Sequence, residues 1–124
     1  MNHRDQFNNY SKSILNLLLN TDDKLFKKSI NLIKKTHKQK GKVYIVGNGG
    51  SSSIASHVSV DFAKVSRVNS STFNNANLIT CFANDYGYEN WVVEAIKAYL
   101  NKNDMMILIS SSGTSKNIVN AAKY

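Results

Sequence analysis

The sequence has little of what marks secreted, membrane-spanning or metal-cluster proteins. Cys81 is the only cysteine, so neither an internal disulfide nor a cysteine-based metal site can form. No apolar run approaches the roughly 20 residues that a transmembrane helix needs, and the first residues lack the layout of a signal peptide. These absences predict a cytoplasmic protein without a membrane partner. The apolar neighbours of Cys81 predict a small buried side chain rather than a reactive thiol.

Acidic residues are half as frequent as basic ones, eight against sixteen, which gives a formal net charge of +8. The excess is local, because residues 1–42 carry a net charge of +7 and the rest of the chain only +1. A basic segment of this kind can contact nucleic acid. However, no alternation of aromatic and basic residues accompanies it. We therefore expect solvated lysines on exposed helix faces rather than a nucleic-acid partner.

The N-terminal third of the chain is predicted to be helical. Apolar residues at helical spacing indicate amphipathic helices over 5–19 and 22–39. Together these helices carry more apolar surface than one small sheet needs. We therefore interpret residues 1–41 as a helical pair for oligomerisation within a single domain that spans residues 1–124.

Strand and helix patterns alternate through the remaining segment, 42–124. The predicted strands cover 43–46, 67–73 and 104–109, and the predicted helices cover 54–65, 77–83, 89–100 and a last segment from about Lys116. This alternation predicts an α/β fold with a doubly wound parallel sheet. A three-stranded sheet whose final helix is cut at Tyr124 would be unusual, so we expect the natural domain to continue.

Two loops, 47–53 and 110–115, share one layout, because each follows a strand and leads into a helix. Glycines in the first loop remove Cβ atoms, so backbone N–H groups can approach an anion. Hydroxyl groups replace most glycines in the second loop and can donate to phosphate oxygens. Both loops should lie at the carboxyl ends of parallel strands, where helix N-termini favour anions. The sequence therefore predicts one phosphate site built from both loops.

Two better-known phosphate motifs fail on spacing. After Gly47 and Gly49, position 52 is serine, where a dinucleotide-binding fingerprint needs a third glycine. No Gly-Lys-Ser/Thr sequence follows either loop, so a nucleotide P-loop is also absent.

Two further polar pairs have open interpretations. His57 and Asp61 are spaced i, i+4 on one side of a predicted helix, which suits a metal or acid/base pair beside a ligand, or a hydrogen-bonded pair at a subunit contact. Asn84 and Asp85 are turn formers by type. Beside a phosphate site, they could also orient sugar hydroxyls.

In this order, the motifs around Gly47–Ser51, His57–Asp61, Ala83–Gly87 and Ile109–Ser115 resemble those of sugar isomerase (SIS) domains. The resemblance covers residues 1–124 and is strongest to the phosphoheptose (sedoheptulose-7-phosphate) isomerase branch. It implies a flavodoxin-like, three-layer αβα fold, a sugar phosphate substrate, and a homotetramer or homodimer. It also implies substrate contacts from ten residues, namely Asn48, Gly49, Gly50, Ser51, Asn84, Asp85, Ser110, Ser111, Ser112 and Ser115.

The resemblance further implies a catalytic role for Asp61 and a metal role for His57 and Asp61. His57 matches a zinc ligand, and Asp61 falls where the related isomerases carry a glutamate that is both catalytic base and metal ligand. Aspartate is one methylene shorter, and proton transfer is sensitive to such a displacement. The family's remaining glutamine and histidine lie on a later helix, and no histidine follows His57 in this chain. Zinc is therefore expected with only half of its ligands present.

Two functions follow from the resemblance. The first is an aldose–ketose isomerase that works through an enediol. The second is a non-catalytic module of the same fold, which senses a sugar phosphate or contacts a partner protein.

Overall fold

Helices and strands alternate along the chain in the computed structural model, which describes residues 2–124. In chain order the elements are α1 (His3–Leu19), α2 (Asp23–Lys38), β1 (Val43–Gly47), α3 (Gly50–Lys64), β2 (Ser70–Thr72), α4 (Ala76–Tyr86), α5 (Trp91–Tyr99), β3 (Met105–Ile109) and α6 (Lys116–Lys123). Every predicted helix and strand is present. No helix among residues 2–124 combines the length and apolarity needed to cross a membrane.

The three strands form one parallel sheet in the order β2-β1-β3. β1 and β3 pair along their whole length, and Gly47 at the end of β1 lies opposite Ile109 at the end of β3. β2 is shorter than the predicted strand 67–73. Its flanking residues Val68 and Phe73 leave the ladder to pack into the core on opposite faces of the sheet.

Side chains of β1 alternate between the two faces of the sheet, as the pleat requires. Tyr44 and Val46 join a cluster that includes residues of α4, α5 and α6. Val43 and Ile45 join a second cluster, to which α3 and Ile33 of α2 contribute. Helices therefore cover both faces of a parallel sheet, and the predicted doubly wound, three-layer α/β fold is confirmed.

The chain divides into two compact units, one ending at Asn31 and the other running over Leu32–Tyr124. The division falls inside α2, because Ile33 packs in the second cluster of the core and Thr36 is buried. The sequence analysis placed the boundary between the helical pair and the core after residue 41, ten residues later than the division in the structure. The assignment of the chain to a single domain stays a prediction. In the first unit, α1 has no buried residue. Its exposed large apolar side chains are Phe7, Tyr10, Ile14, Leu15, Leu17, Leu18 and Leu19.

The helix after β1 begins at Gly50, four residues before the predicted start at 54. The chain reverses within two residues, because Gly49 adopts a φ of +53° that favours glycine. The Ser51 N–H then donates to the Asn48 carbonyl at 3.0 Å, and the Ser52 N–H donates to the Gly49 carbonyl at 2.9 Å. The predicted loop 47–53 is therefore a tight turn followed by the first turn of α3.

The prediction that Cys81 is buried is wrong, since its side chain is exposed. Its neighbours Leu78, Ile79 and Phe82 pack against the core, and Cys81 lies outside this apolar stripe of α4. It lines a cleft of about 560 Å³ together with Tyr44 of β1 and other residues.

Gly47→Ala is expected to lower the free energy of unfolding by about 1–3 kcal/mol. A Cβ atom at position 47 would lie 2.6 Å from the Ser51 Cβ and 2.7 Å from the Ser51 carbonyl oxygen, so β1 and α3 would have to move apart. Gly50→Ala is the matched control, because a Cβ there meets no atom within 4 Å. The control should be neutral or stabilising by up to about 1 kcal/mol. Urea-induced unfolding measures both variants, and equal stabilities would contradict this account.

Candidate functional site

The two predicted loops meet at one edge of the sheet. Because Gly47 and Ile109 are partners in the parallel ladder, the chain leaves β1 and β3 at the same level. The turn at Asn48–Gly49 leads into α3, and residues 110–115 lead into α6. Two helix N-termini therefore begin next to each other at the carboxyl edge, where open α/β sheets bind their ligands.

Neither of these helices is capped by a side chain. Within residues 2–124, α1, α2 and α4 begin with side chains that accept from the helix backbone, those of Asn2, Asp22 and Asn75. The N-cap residues of α3, α5 and α6 are Gly49, Asn90 and Ser115, and none makes a side-chain cap hydrogen bond; of these helices, α3 and α6 directly follow paired strands. In α3 the N–H groups of Ser51 and Ser52 donate to backbone carbonyls instead, and no side chain among residues 2–124 serves the first N–H groups of either helix.

Backbone N–H groups at both turns are consequently available to an anion. No group within residues 2–124 accepts a hydrogen bond from the backbone N–H of Asn48, Gly49 or Gly50. In this part of the chain, the N–H groups of Ser115 and Lys116 are also unpaired. Unpaired N–H groups and the positive end of the helix dipole together favour a phosphate group.

The serine loop keeps its shape through its own hydroxyl groups. The Ser110 Oγ accepts from the Gly113 N–H at 3.1 Å, and the Ser112 Oγ accepts from the Thr114 N–H at 3.2 Å. The Ser112 and Ser115 hydroxyl oxygens lie 3.5 Å apart. A hydroxyl oxygen that accepts one of these bonds still has its own hydrogen to donate. The loop is therefore preformed and keeps donors for a ligand.

A buried asparagine that the sequence analysis did not single out connects the two turns. Asn117 of α6 is 2% exposed, and its amide forms two reciprocal hydrogen bonds of 2.9 Å with the amide of Asn48. The Tyr88 hydroxyl donates to the same Asn48 oxygen at 3.3 Å. A cavity of about 290 Å³ lies here, lined by Asn48, Tyr88, Glu89, Ser115, Lys116 and Asn117.

A second asparagine that the sequence analysis missed holds the end of β1. The Asn74 side chain accepts from the Gly47 N–H at 3.1 Å and donates to the Gly47 carbonyl at 2.7 Å. It thereby continues the ladder where β2 has ended at Thr72. A sequence signal existed for both missed residues, since each asparagine follows closely after a strand or loop at the carboxyl edge.

Asn84 and Asp85 lie in the last turn of α4 rather than in a turn after it. The Asn84 amide donates to the Asp85 carboxylate at 2.9 Å, and both side chains are exposed. No hydrogen bond joins either side chain to the two loops within the described part of the chain. From this region Tyr88 contacts Asn48. The sugar contacts assigned to Asn84 and Asp85 stay predictions.

His57 and Asp61 contact each other on the outer side of α3. The His57 Nε2 and the Asp61 Oδ2 are 3.3 Å apart, and the two side chains are 78% and 51% exposed. The opposite side of the helix packs on the sheet through Ala55, Val58 and Phe62. The pair does not line the cavity beside Asn48 and Ser115.

The residues present do not complete a zinc site. Protein zinc sites use at least three side-chain ligands, and His57 and Asp61 supply two. Residues 2–124 contain no group of three or more His, Cys, Asp or Glu side chains placed to hold a metal ion. We therefore derive no step through zinc, and the metal roles of His57 and Asp61 stay predictions.

Comparison with known proteins gives one family. Residues 6–124 match the model of the SIS domain. Phosphoheptose isomerases from Helicobacter pylori and Histophilus somni are 36% and 32% identical to the chain over 116 and 118 residues. These alignments cover 89% and 90% of the chain but only 60% of each relative, so the chain spans about three fifths of their length.

Solved structures show the same fold at lower identity. The phosphoheptose isomerase of Neisseria gonorrhoeae superimposes with a TM-score of 0.86 at 22% identity, covering 97% of this chain and 66% of that one. A phosphoheptose isomerase from Francisella tularensis gives a TM-score of 0.87 at 23% identity, covering 99% and 69%. The predicted α/β architecture with two leading helices is therefore found in both.

Proposed function

The chain belongs to the SIS domain family, and from this premise we propose that it binds a sugar phosphate as part of a phosphoheptose-type aldose–ketose isomerase. The relatives at 36% and 32% identity carry the name phosphoheptose isomerase. They support this class of substrate, a seven-carbon ketose or aldose phosphate. The activity proposed is that of the whole protein, of which these residues form the phosphate-binding part.

The observation that carries the proposal is the pair of uncapped helix N-termini at adjacent strand ends. Gly49 and Ser115 begin α3 and α6 without side-chain caps, and the turns leave backbone N–H groups unpaired. A phosphate dianion offers several acceptor oxygens to such donors, and the serine hydroxyls of the second loop add to them. Lys116, at the first position of α6, lines the cavity beside Asn48 and Ser115, as does the acidic residue Glu89.

The proposed reaction moves two protons and leaves the atoms of the sugar otherwise unchanged. A base removes a proton from C1 of the ketose, whose C–H electron pair becomes the C1–C2 double bond while O2 takes up a proton. Return of a proton to C2 and loss of the O1 proton then give the aldose. Asp61 is the candidate base, and a positioned base contributes about 10²–10⁴-fold to such a step.

The position of Asp61 also favours the second candidate, a non-catalytic module that binds the sugar phosphate. Its carboxylate is half exposed, lies 3.3 Å from the His57 Nε2, and is outside the cavity beside Ser115. A base works best within hydrogen-bond reach of the proton that it removes. Phosphate recognition by the two turns does not depend on Asp61, so binding without turnover is consistent with the same geometry.

Ser115→Ala is expected to weaken the binding of sedoheptulose 7-phosphate about three- to tenfold, the effect of one lost hydrogen bond. Since the Ser115 hydroxyl does not cap α6, the thermal unfolding temperature should stay the same. Ser66→Ala, at an exposed position just after α3, is the matched control and should change neither quantity. Isothermal titration calorimetry measures the affinity. Unchanged affinity in Ser115→Ala would remove this serine from the phosphate site.

Asp61→Asn is expected to lower the turnover of sedoheptulose 7-phosphate by the full-length protein at least about 100-fold, because an amide cannot take up the C1 proton. Asp23→Asn, at an exposed aspartate in the first turn of α2, is the matched control and should retain the full rate. Turnover is measured together with the uptake of deuterium from solvent into the sugar. Equal rates in both variants would exclude Asp61 as the base. Binding by the unmodified protein without turnover or deuterium uptake would establish the non-catalytic module instead.

We further propose that α1 mediates the assembly of a homodimer or homotetramer. Phe7, Tyr10 and Ile14 lie on one face of α1, and all three are exposed in the single chain. An apolar helix face without a partner within its own chain is the type of surface that subunits bury against one another.

Ile14→Lys is expected to reduce the molar mass of the protein in solution to that of a smaller assembly. The substitution places a charge at the centre of the apolar face of α1, where burial would leave it unpaired. Asn9→Lys adds the same charge on the opposite side of the helix, about half a turn from Phe7 and Leu18, and should keep the mass unchanged. Size-exclusion chromatography with light scattering measures both variants. A monomeric unmodified protein, or an unchanged mass in Ile14→Lys, would contradict the role of α1.

A further inference from the structure

The side-chain amides of Asn48 and Asn117 form a reciprocal pair of hydrogen bonds beside the site. It links residues 69 positions apart, one in the turn after β1 and the other in the first turn of α6. Asn117 is almost fully buried, although asparagine is usually exposed. A buried amide is retained at such a position only when its hydrogen bonds are made, as they are here.

The hydrogen-bonding capacity of the Asn48 side chain is almost used up. An amide has two N–H donors and one oxygen with two lone pairs. The Asn48 oxygen accepts from Asn117 at 2.9 Å and from the Tyr88 hydroxyl at 3.3 Å, and one N–H donates to Asn117 at 2.9 Å. One N–H remains, so Asn48 can act toward a ligand only as a donor.

We propose that Asn117 is a positioning residue, which fixes the Asn48 amide so that its remaining N–H is presented to an oxygen atom of the bound sugar phosphate. The proposal rests on the function proposed above. Without Asn117, the Asn48 side chain could rotate about its Cβ–Cγ bond, which would exchange donor and acceptor at the cavity. Tyr88 alone would hold it by one longer contact.

The pair also connects the two loops that border the cavity. Asn48 and Ser115 both line it, and Asn117 follows Ser115 by two residues on α6. Fixing the Asn48 amide to α6 therefore fixes the position of one ligand-facing donor relative to the serine loop. Such preorganisation strengthens binding because less conformational freedom is lost when the ligand binds.

A double-mutant cycle tests whether Asn117 acts through Asn48. Asn48→Ala and Asn117→Leu should each weaken the binding of sedoheptulose 7-phosphate about tenfold, and the double variant should also lose about tenfold rather than about 100-fold. Inorganic phosphate is the second probe. Equal losses for both probes assign the Asn48 donor to a phosphate oxygen, and a loss confined to the sugar phosphate assigns it to a sugar oxygen.

The control is Asn120→Leu, the same change one turn further along α6. Asn120 donates to the Glu89 carbonyl at 3.0 Å and does not contact Asn48, so the affinity should stay within about twofold. If Asn117→Leu fails to fold, Asn117→Ala replaces it. That variant removes both hydrogen bonds to Asn48 without adding a charge beside the phosphate, and the same non-additive loss of about tenfold is expected.

The outcomes separate this inference from the proposed function. Additive losses in the double variant, or unchanged affinity in both single variants, would overturn the positioning role while sugar phosphate binding stands. Absence of binding by the unmodified full-length protein would overturn the proposed function and the inference together.

Discussion

The parallel register between β1 and β3 is the constraint on which the site depends. It ends both strands at one level, with Gly47 opposite Ile109, and so starts two chain reversals side by side. A shift of this register by one residue would turn the alternate side chains of β1 to the wrong face of the sheet. Tyr44 and Val46 would then exchange faces with Val43 and Ile45, and both halves of the core would be lost. The packing of the core therefore also fixes the relative position of the two helix N-termini.

Both α3 and α6 begin without the side-chain cap that commonly stabilises a helix start. Side-chain oxygens cap α1, α2 and α4, whereas Gly49, Asn90 and Ser115 begin α3, α5 and α6 without a side-chain cap. A side-chain cap contributes about 1 kcal/mol to a helix, so the uncapped starts are less stable than they could be. The close contact of Gly47 with Ser51 and the Asn74 hydrogen bonds to Gly47 hold the first turn in place instead. Neighbouring structure thus maintains the donors of the first turn in an open, preformed arrangement.

The fold could be predicted from the sequence because its signals are local. Apolar runs at 43–46 and 105–109 specify the two longer strands, of which β1 is buried and β3 half-buried, and helical periodicity between them specifies the crossovers. The helix starts were less predictable, because the serines after Gly50 are compatible with either a loop or a first helical turn, and only the tight reversal at Gly49 decides. Asn117 and Asn74 were missed because their roles depend on partners 69 and 27 residues away. The exposure of Cys81 was missed for a related reason, since an apolar neighbourhood in sequence does not determine which side of a helix faces the core.

The geometry separates ligand binding from chemistry more clearly than the motifs suggested. Of the ten predicted substrate contacts, Asn48 and Ser115 line the cavity beside Tyr88, while His57 and Asp61 form an exposed pair on the outer side of α3. An exposed carboxylate can act as a base only if other groups exclude water and bring the substrate to it. Within residues 2–124, both side chains of the pair remain largely exposed to solvent. The proposed binding therefore relies on this chain's own residues, whereas the proposed catalysis requires that other groups cover the outer side of α3.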